Sequence, residues 1–166
     1  MWQKKKQKRI KLYKNRVSIK KLKNKIIKMM TYECDEFIDG IHIADKLGIP
    51  HEIVYKTIVT VGKSKGYYVF VLPIEKEIDF KKAAKSVGEK SLEMLPLKDL
   101  TPLTGYVRGG CTSIGMKKQF PTVIDRSAFE LPHIIVSGGK LGLQLKLSPH
   151  DLANVVRAEF ADVIFK

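Results

Sequence analysis

Two apolar stretches joined by a short polar turn constrain the fold of this 166-residue chain more than any other feature. Residues 53–61 are rich in β-branched side chains, and residues 67–72 form a second apolar run. Between them lies the turn sequence Lys-Ser-Lys-Gly at positions 63–66. β-branched and aromatic residues favour strands, and a short turn containing glycine joins such strands into a hairpin. The sequence therefore predicts a β-hairpin over residues 53–72.

Lys56 lies inside the first of these strands. Because side chains alternate between the two faces of a strand, Lys56 shares a face with Val54 and Ile58. A lysine on an apolar face either extends its ammonium group to water at an edge or points into a pocket. In a pocket it can hold a carbonyl or phosphate oxygen. The pattern alone leaves both interpretations open.

Short helices and further strands surround the hairpin. Helices are predicted after Asp39, Asp79 and Ser148, because short polar side chains cap helix N-termini, and the third helix is predicted to include Phe160. A further turn of helix is expected at 97–103. Strands are predicted at 31–34, 90–95, 121–125, 133–137 and 141–147. This alternation of short elements predicts an α/β or α+β fold with a strongly curled mixed sheet, and we take α/β as the class.

Positive charge is concentrated at the N-terminus. Thirteen of the 31 lysines and arginines lie within residues 1–28, which contain no aspartate or glutamate, whereas the remaining 18 nearly balance 17 acidic residues. We therefore divide the chain into a basic arm at 1–30 and a domain at 31–166. Helical spacing of apolar residues predicts an amphipathic helix over 18–29; these residues are Ile19, Leu22, Ile26 and Met29. The arm is either a phosphate-contacting tail or a solvated extension without a fixed partner.

Several classes of protein are disfavoured by composition. The longest apolar run, at 67–73, is far too short to span a bilayer, so no membrane partner is expected. Cys34 and Cys111 stand far apart and form neither a CxxC pair nor a zinc pattern, which favours a cytoplasmic location. The four histidines lack the spacing of a metal site, and no metal is expected.

A glycine-rich loop at 109–115 is the stretch best suited to hold a ligand. It reads Gly-Gly-Cys-Thr-Ser-Ile-Gly, so its backbone can take positive φ and aim N–H groups at an anion or a developing oxyanion. Its spacing is that of neither a P-loop nor a dinucleotide-binding fingerprint. A tight turn without chemistry is the alternative. Cys111 is equally a candidate nucleophile or a small filler, because the sequence assigns it no base as a partner.

Several separated stretches resemble one family. They are residues 54–59, 109–118 with Pro121 and Asp125, 136–140, Gly142 with Leu143, and 160–162. Together they resemble the YbaK/EbsC family of free-standing aminoacyl-tRNA deacylases, which are related to the editing domain inserted in bacterial prolyl-tRNA synthetases. The resemblance covers roughly residues 31–165. The segment Val-Ser-Gly-Gly-Lys at 136–140 is similar to the branch that deacylates Cys-tRNA(Pro) and Cys-tRNA(Cys).

The resemblance implies a fold, a reaction and a set of site residues. The fold is a curled, barrel-like mixed β-sheet with flanking helices. The reaction is trans-acting editing of Cys-tRNA(Pro), in which the substrate's own thiol attacks the ester carbonyl inside a pocket of backbone amides. No cofactor is implied, and the partners are aminoacyl-tRNA and prolyl-tRNA synthetase. The implied catalytic residues are Lys56, Gly109 and Gly110, and the implied substrate-binding residues are Tyr32, Thr57, Cys111, Thr112, Ser113, Gly115, Ser137, Gly138 and Gln144.

The sequence departs from the family pattern at three places. Thr112 and Ser113 stand where the family loop usually has Ser-Pro, which removes the fixed φ of a proline. Gln144 stands where some members have aspartate, so it keeps a hydrogen bond but not a charge. The arm before Thr31 has little of the family's usual sequence. Two other functions stay open: a deacylase for another small residue such as alanine on tRNA(Pro), and a non-enzymatic module that binds tRNA or a synthetase.

Overall fold

The predicted hairpin forms the centre of the larger of two sheets. A computed structural model describes residue 22 and residues 24–166. Its strands are β1 (Ile26–Thr31), β2 (Tyr55–Gly62), β3 (Tyr67–Pro73), β4 (Leu92–Met94), β5 (Thr122–Asp125), β6 (Ile134–Ser137), β7 (Leu143–Leu147) and β8 (Glu159–Ala161). Its α-helices are α1 (Gly40–Leu47), α2 (Phe80–Val87), α3 (Leu97–Thr104) and α4 (Pro149–Val156), and short 3-10 turns lie at His51–Ile53 and Arg126–Ala128.

The strands divide into two sheets. The larger has the order β4-β2-β3-β5-β8, in which β3, β5 and β8 run parallel and the other pairs run antiparallel. The smaller is the antiparallel sheet β1-β7-β6. A single parallel bridge between Val54 and Ile135 links β2 to β6. The mixed α/β class is therefore confirmed, but the curled, barrel-like sheet is wrong, because neither sheet of the described residues closes on itself.

Helix ends follow the chemistry predicted from the sequence. The side chains of Asp39, Asp79 and Ser148 accept hydrogen bonds from backbone N–H groups in the first turns of α1, α2 and α4. Gly48 and Gly88 end the first two of these helices with φ of 66° and 74°, a left-handed conformation that glycine adopts without a steric penalty. The predicted helices at these positions are confirmed.

Two of the helix predictions are wrong in part. The pattern over 18–29 continues into β1, where Ile26 and Met29 pair with Leu147 and Leu145, so these positions are strand; residues 18–21 and 23 lie outside the described residues. Tertiary pairing with β7 here overrides the helical spacing. Helix α4 ends at Val156 and Phe160 belongs to β8. The division into an arm and a domain stays a prediction.

The apolar residues form layers on both sides of the larger sheet. One cluster lies between the two sheets and α4, and it includes Tyr55, Leu145 and Leu152. A second cluster packs α2 against the opposite face of the hairpin. A small cluster that contains Ala44, Val54, Ile74 and Ile135 holds α1 at the junction of the sheets. Within the described part of the chain, every helix is too short or too polar to cross a membrane.

His51 connects α1 to the segment after β3. Its Nε2 lies 2.6 Å from the Asp45 carboxylate, and its Nδ1 lies 2.5 Å from the Glu75 carboxylate. Both nitrogens can donate only when the imidazole is protonated. Hydrogen bonds to Asp45 and then Glu75 raise the pKa of His51 above its ordinary value.

The His51 contact predicts a pH-dependent contribution to stability. Because the folded-state pKa is raised, the imidazolium stabilises the fold fully below about pH 6.5, the unfolded value, and this contribution is lost as pH rises through the folded pKa. His51→Gln is therefore expected to lower the urea midpoint at about pH 6 and to have a smaller effect at about pH 9. His133→Gln is the matched control. Equal destabilisation by His51→Gln at both pH values would contradict this role.

Candidate functional site

A cleft opens where the two sheets separate. Strands β2 and β6 touch at the bridge between Val54 and Ile135 and pair no further. Two residues beyond the bridge on each strand, Lys56 and Ser137 line a cleft of about 590 Å³. Gln144, the cross-strand partner of Ser137 on β7, also lines it. A crevice between diverging strands is a common place for a ligand site.

Lys56 is half-buried in this cleft. Its Nζ donates a hydrogen bond to the Ile74 carbonyl oxygen at 3.5 Å, and the next residue, Thr57, lines the same cleft. Of the two interpretations from the sequence, the structure favours the pocket. The lysine therefore supplies a cation beside the largely apolar walls that β2 provides.

The glycine-rich loop reaches the cleft through Gly109 and Cys111. Gly109 has a φ of 86°, which favours glycine. The Gly110 N–H donates to the Val107 carbonyl oxygen at 3.0 Å, so that amide is already engaged inside the loop. A Cβ on Gly110 would lie 2.8 Å from Cα of Lys140, so this glycine allows the loop to pack against the segment after β6. The structure thus gives Gly110 a packing function.

The Cys111 thiol is poorly suited to nucleophilic attack. Burial raises its pKa to about 12, outweighing the hydrogen bond with Thr104 that lowers it. Nucleophilic cysteines instead have lowered pKa values, because the thiolate is the reactive form. The structure therefore favours the small-filler interpretation of this side chain.

Gln144 and Tyr32 form a polar pair at one side of the cleft. Gln144 is buried, and its Nε2 donates to the Tyr32 hydroxyl at 3.4 Å. Burial raises the pKa of Tyr32, so its hydroxyl stays protonated at neutral pH. Tyr32 itself is not part of the cleft wall and reaches it through Gln144. The Ser137 hydroxyl accepts from the Gly139 N–H at 3.5 Å.

Four of the predicted substrate-binding residues are buried and do not line the cleft. They are Thr112, Ser113, Gly115 and Gly138. The Thr112 hydroxyl accepts from the Ile114 N–H at 3.4 Å, which stabilises the loop from within. A Cβ on Gly138 would lie 2.5 Å from Cγ of Leu143, so this glycine makes room for a core side chain. The structure places these residues behind the site.

The cleft residues missed from the sequence include one aromatic and two charged side chains. Phe37, Asp39 and Arg108 line the cleft, and the Arg108 guanidinium lies over the Phe37 ring at 4.0 Å from its centroid. The one feature of the sequence that could have identified any of them is the position of Arg108, directly before the glycine pair. Asp39 is occupied as a helix cap: hydrogen bonds from the His42 backbone and ring lower its pKa, which makes it a weak base.

None of the histidines lines the cleft, and the described residues contain no group of three or more His, Cys, Asp or Glu side chains placed to hold a metal. Among the described residues, the site thus combines a lysine, an arginine, an aspartate engaged as a helix cap, backbone amides and neutral polar side chains. Such a set can bind and polarise an ester or other carbonyl compound.

Known proteins are similar to this chain in sequence and in fold. Residues 41–155 match the family model described as an aminoacyl-tRNA editing domain. A protein of Enterococcus faecalis (strain ATCC 700802 / V583), provisionally named Cys-tRNA(Pro)/Cys-tRNA(Cys) deacylase EbsC, is 45% identical over 132 residues, which is 80% of each chain.

Two solved structures have the same fold. One, provisionally described as a trans-editing enzyme for prolyl-tRNA synthetase, has a TM-score of 0.74 at 23% identity and covers 84% of this chain and 87% of its own. Another, a hypothetical protein, has a TM-score of 0.76 at 22% identity and covers 83% of this chain and 91% of its own. The family match and the 45% identity confirm the resemblance found in the sequence, and the chain belongs to the aminoacyl-tRNA editing domain family.

Proposed function

We propose that the protein is a trans-acting aminoacyl-tRNA deacylase that removes cysteine from tRNA(Pro), with Cys-tRNA(Cys) as a further substrate. The family match and the name of the 45% identical relative support this reaction. The observation that carries it is the cleft, in which a lysine from β2, the glycine-rich loop and two polar residues of the smaller sheet meet.

In this proposal the ester carbonyl oxygen lies between Lys56 and the loop. Within the described residues, the backbone N–H groups of Gly109 and Cys111 donate no hydrogen bond to the protein, whereas that of Gly110 does. We therefore assign the oxyanion donors to Gly109 and Cys111, together with the Lys56 ammonium. Donors fixed in advance around a developing negative charge stabilise the transition state more than the ground state.

The nucleophile in this proposal is the substrate's own thiol. Burial holds the Cys111 thiol protonated by raising its pKa to about 12, so this thiol is not an activated nucleophile. The substrate sulfur forms a bond to its carbonyl carbon while the bond to the ribose oxygen breaks, and the thiol proton ends on that oxygen. The products are a cyclic thioester of cysteine and deacylated tRNA, which makes this step lyase-type; water then opens the thioester.

Gln144 orients the bound amino acid in this proposal. Its amide nitrogen donates to Tyr32, which leaves its carbonyl oxygen as an acceptor for the α-ammonium group of the substrate. Ser137 and Thr57 line the same wall and restrict it to a small side chain. A neutral glutamine can perform this role because it accepts a hydrogen bond without carrying a charge.

Replacement of Lys56 tests the oxyanion site. Lys56→Ala is expected to lower kcat for Cys-tRNA(Pro) deacylation by about 10²–10³-fold, because one oxyanion donor is lost. Lys63→Ala, in the exposed turn of the same hairpin, is the matched control and should retain activity. Unchanged turnover in Lys56→Ala would reject this assignment. Salt-sensitive tRNA binding without turnover in the unmodified protein would instead indicate a binding module.

The substrate side chain tests the source of the nucleophile. Release of amino acid is measured from tRNA(Pro) esterified with cysteine, S-methylcysteine or alanine. Cysteine is expected to be released at least about 100-fold faster than the other two, because an internal nucleophile has a high effective molarity. S-methylcysteine is the matched control, since it keeps the side-chain sulfur and blocks attack. Comparable release of alanine would refute the thiol mechanism and assign the protein to alanine editing.

We also propose that prolyl-tRNA synthetase is a partner. The chain beyond residue 28 is nearly neutral, so it gains little from contact with phosphates and needs help to retain tRNA. Tagged protein is therefore expected to capture the synthetase together with tRNA(Pro) in a ternary complex. Capture of tRNA(Pro) by the protein alone, unaffected by the synthetase, would argue against this partner. Loss of that binding on deletion of residues 1–28 would assign it to the basic arm.

A further inference from the structure

An aromatic ring and a guanidinium group are stacked at the mouth of the cleft. The Arg108 Cζ lies 4.0 Å from the centroid of the Phe37 ring, and both residues line the cleft although each is exposed. Phe37 is 44% exposed, so part of its side chain is accessible to a ligand. Within the described residues Arg108 forms no ion pair with an acidic side chain.

This stack lies directly beside the proposed oxyanion donors. Arg108 precedes Gly109 in the chain, and a Cβ on Gly109 would lie 3.0 Å from Cδ2 of Phe37. The aminoacyl ester of a tRNA is carried by the ribose of its 3′-terminal adenosine. Only this ribose separates the ester from the adenine. A carbonyl held at Gly109 therefore places the adenine close to Phe37 and Arg108.

We propose that Phe37 and Arg108 form a stacking subsite for the 3′-terminal adenine of aminoacyl-tRNA. This inference depends on the proposed function, because the position of the ester fixes that of the base. Bases of single-stranded nucleic acids stack on aromatic rings and on guanidinium planes. Phe37 holds the guanidinium in place, and the adenine stacks on the pair. The guanidinium also attracts the adjoining phosphate.

Charge favours a nucleotide over an apolar peptide as the occupant. In the part of the chain that the structure describes, the charged side chains that line the cleft are Lys56, Arg108 and Asp39, and Asp39 is hydrogen-bonded to His42. The cleft is thus net positive and suits a phosphodiester. The exposed apolar residues Ile41, Met94 and Leu97, which line the same cleft, can contact the rest of the base.

Binding of short RNA tests this subsite without catalysis. The probes are the trinucleotide CCA and the same molecule with an abasic 3′ nucleotide, followed by NMR titration of the full chain. CCA is expected to bind about 10-fold more tightly. Both Phe37→Ala and Arg108→Lys should remove this difference, because the lysine keeps the charge but lacks the plane. Phe165→Ala, at a similarly exposed phenylalanine outside the cleft, is the matched control and should retain it.

Two results would overturn the subsite: equal binding of both probes to the unmodified protein, or an adenine preference that survives both Phe37→Ala and Arg108→Lys. An adenine preference that is lost in Phe37→Ala but retained in Arg108→Lys would assign Arg108 to phosphate attraction alone and would reject its part in the stack. Kinetics separate this inference from the proposed function. If Phe37→Ala deacylates with KM raised about 10-fold and kcat little changed, the adenine subsite and the proposed reaction are both supported. Deacylation with unchanged KM rejects only the subsite, and adenine-dependent binding without deacylation rejects only the proposed reaction.

Discussion

The site depends on one backbone contact between the two sheets. The bridge between Val54 and Ile135 brings β2 and β6 together, and the small apolar cluster around it fixes their separation. Beyond this point the strands belong to different sheets and diverge, so the next inward-facing residues on each, Lys56 and Ser137, face open space instead of each other's backbone. The cleft is therefore a consequence of topology. A substitution that loosens the bridge would alter the spacing of site residues that it does not touch.

The chemistry of the cleft is electrostatic. Among the described residues, its cations are Lys56 and Arg108, its one acidic side chain is engaged as a helix cap, and its one thiol has a pKa raised by burial. A site of this kind stabilises charge that develops on a substrate but supplies little reactivity of its own. In the proposed reaction the covalent step comes from the bound amino acid.

Local chemistry was predictable from the sequence, and long-range placement was not. The caps at Asp39, Asp79 and Ser148 and the hairpin depend on neighbouring residues, and all of them formed as predicted. Ile26 and Met29 were misassigned because their spacing fits a helix, whereas pairing with β7 decides their conformation. Lys56 could be placed on an apolar face, but its pocket is made by strands about 80 residues away in the chain. Phe37 was missed for the same reason, since its partner Arg108 is distant in sequence.

Hydrogen bonds hold the glycine-rich loop where the sequence departs from the family pattern at Thr112 and Ser113. A proline would restrict φ, but here the loop is held by other contacts: the Thr112 hydroxyl accepts from the Ile114 N–H, and the Tyr106 hydroxyl donates to the Ile114 carbonyl at 2.6 Å. Both groups at 112 and 113 are buried, so they act on the loop and not on a ligand. Rigidity that the family pattern assigns to one residue type is thus supplied by hydrogen bonds on either side of Ile114. Gly109 and Cys111 form the surface of the loop that faces the cleft. This surface need not change when the residues at 112 and 113 change.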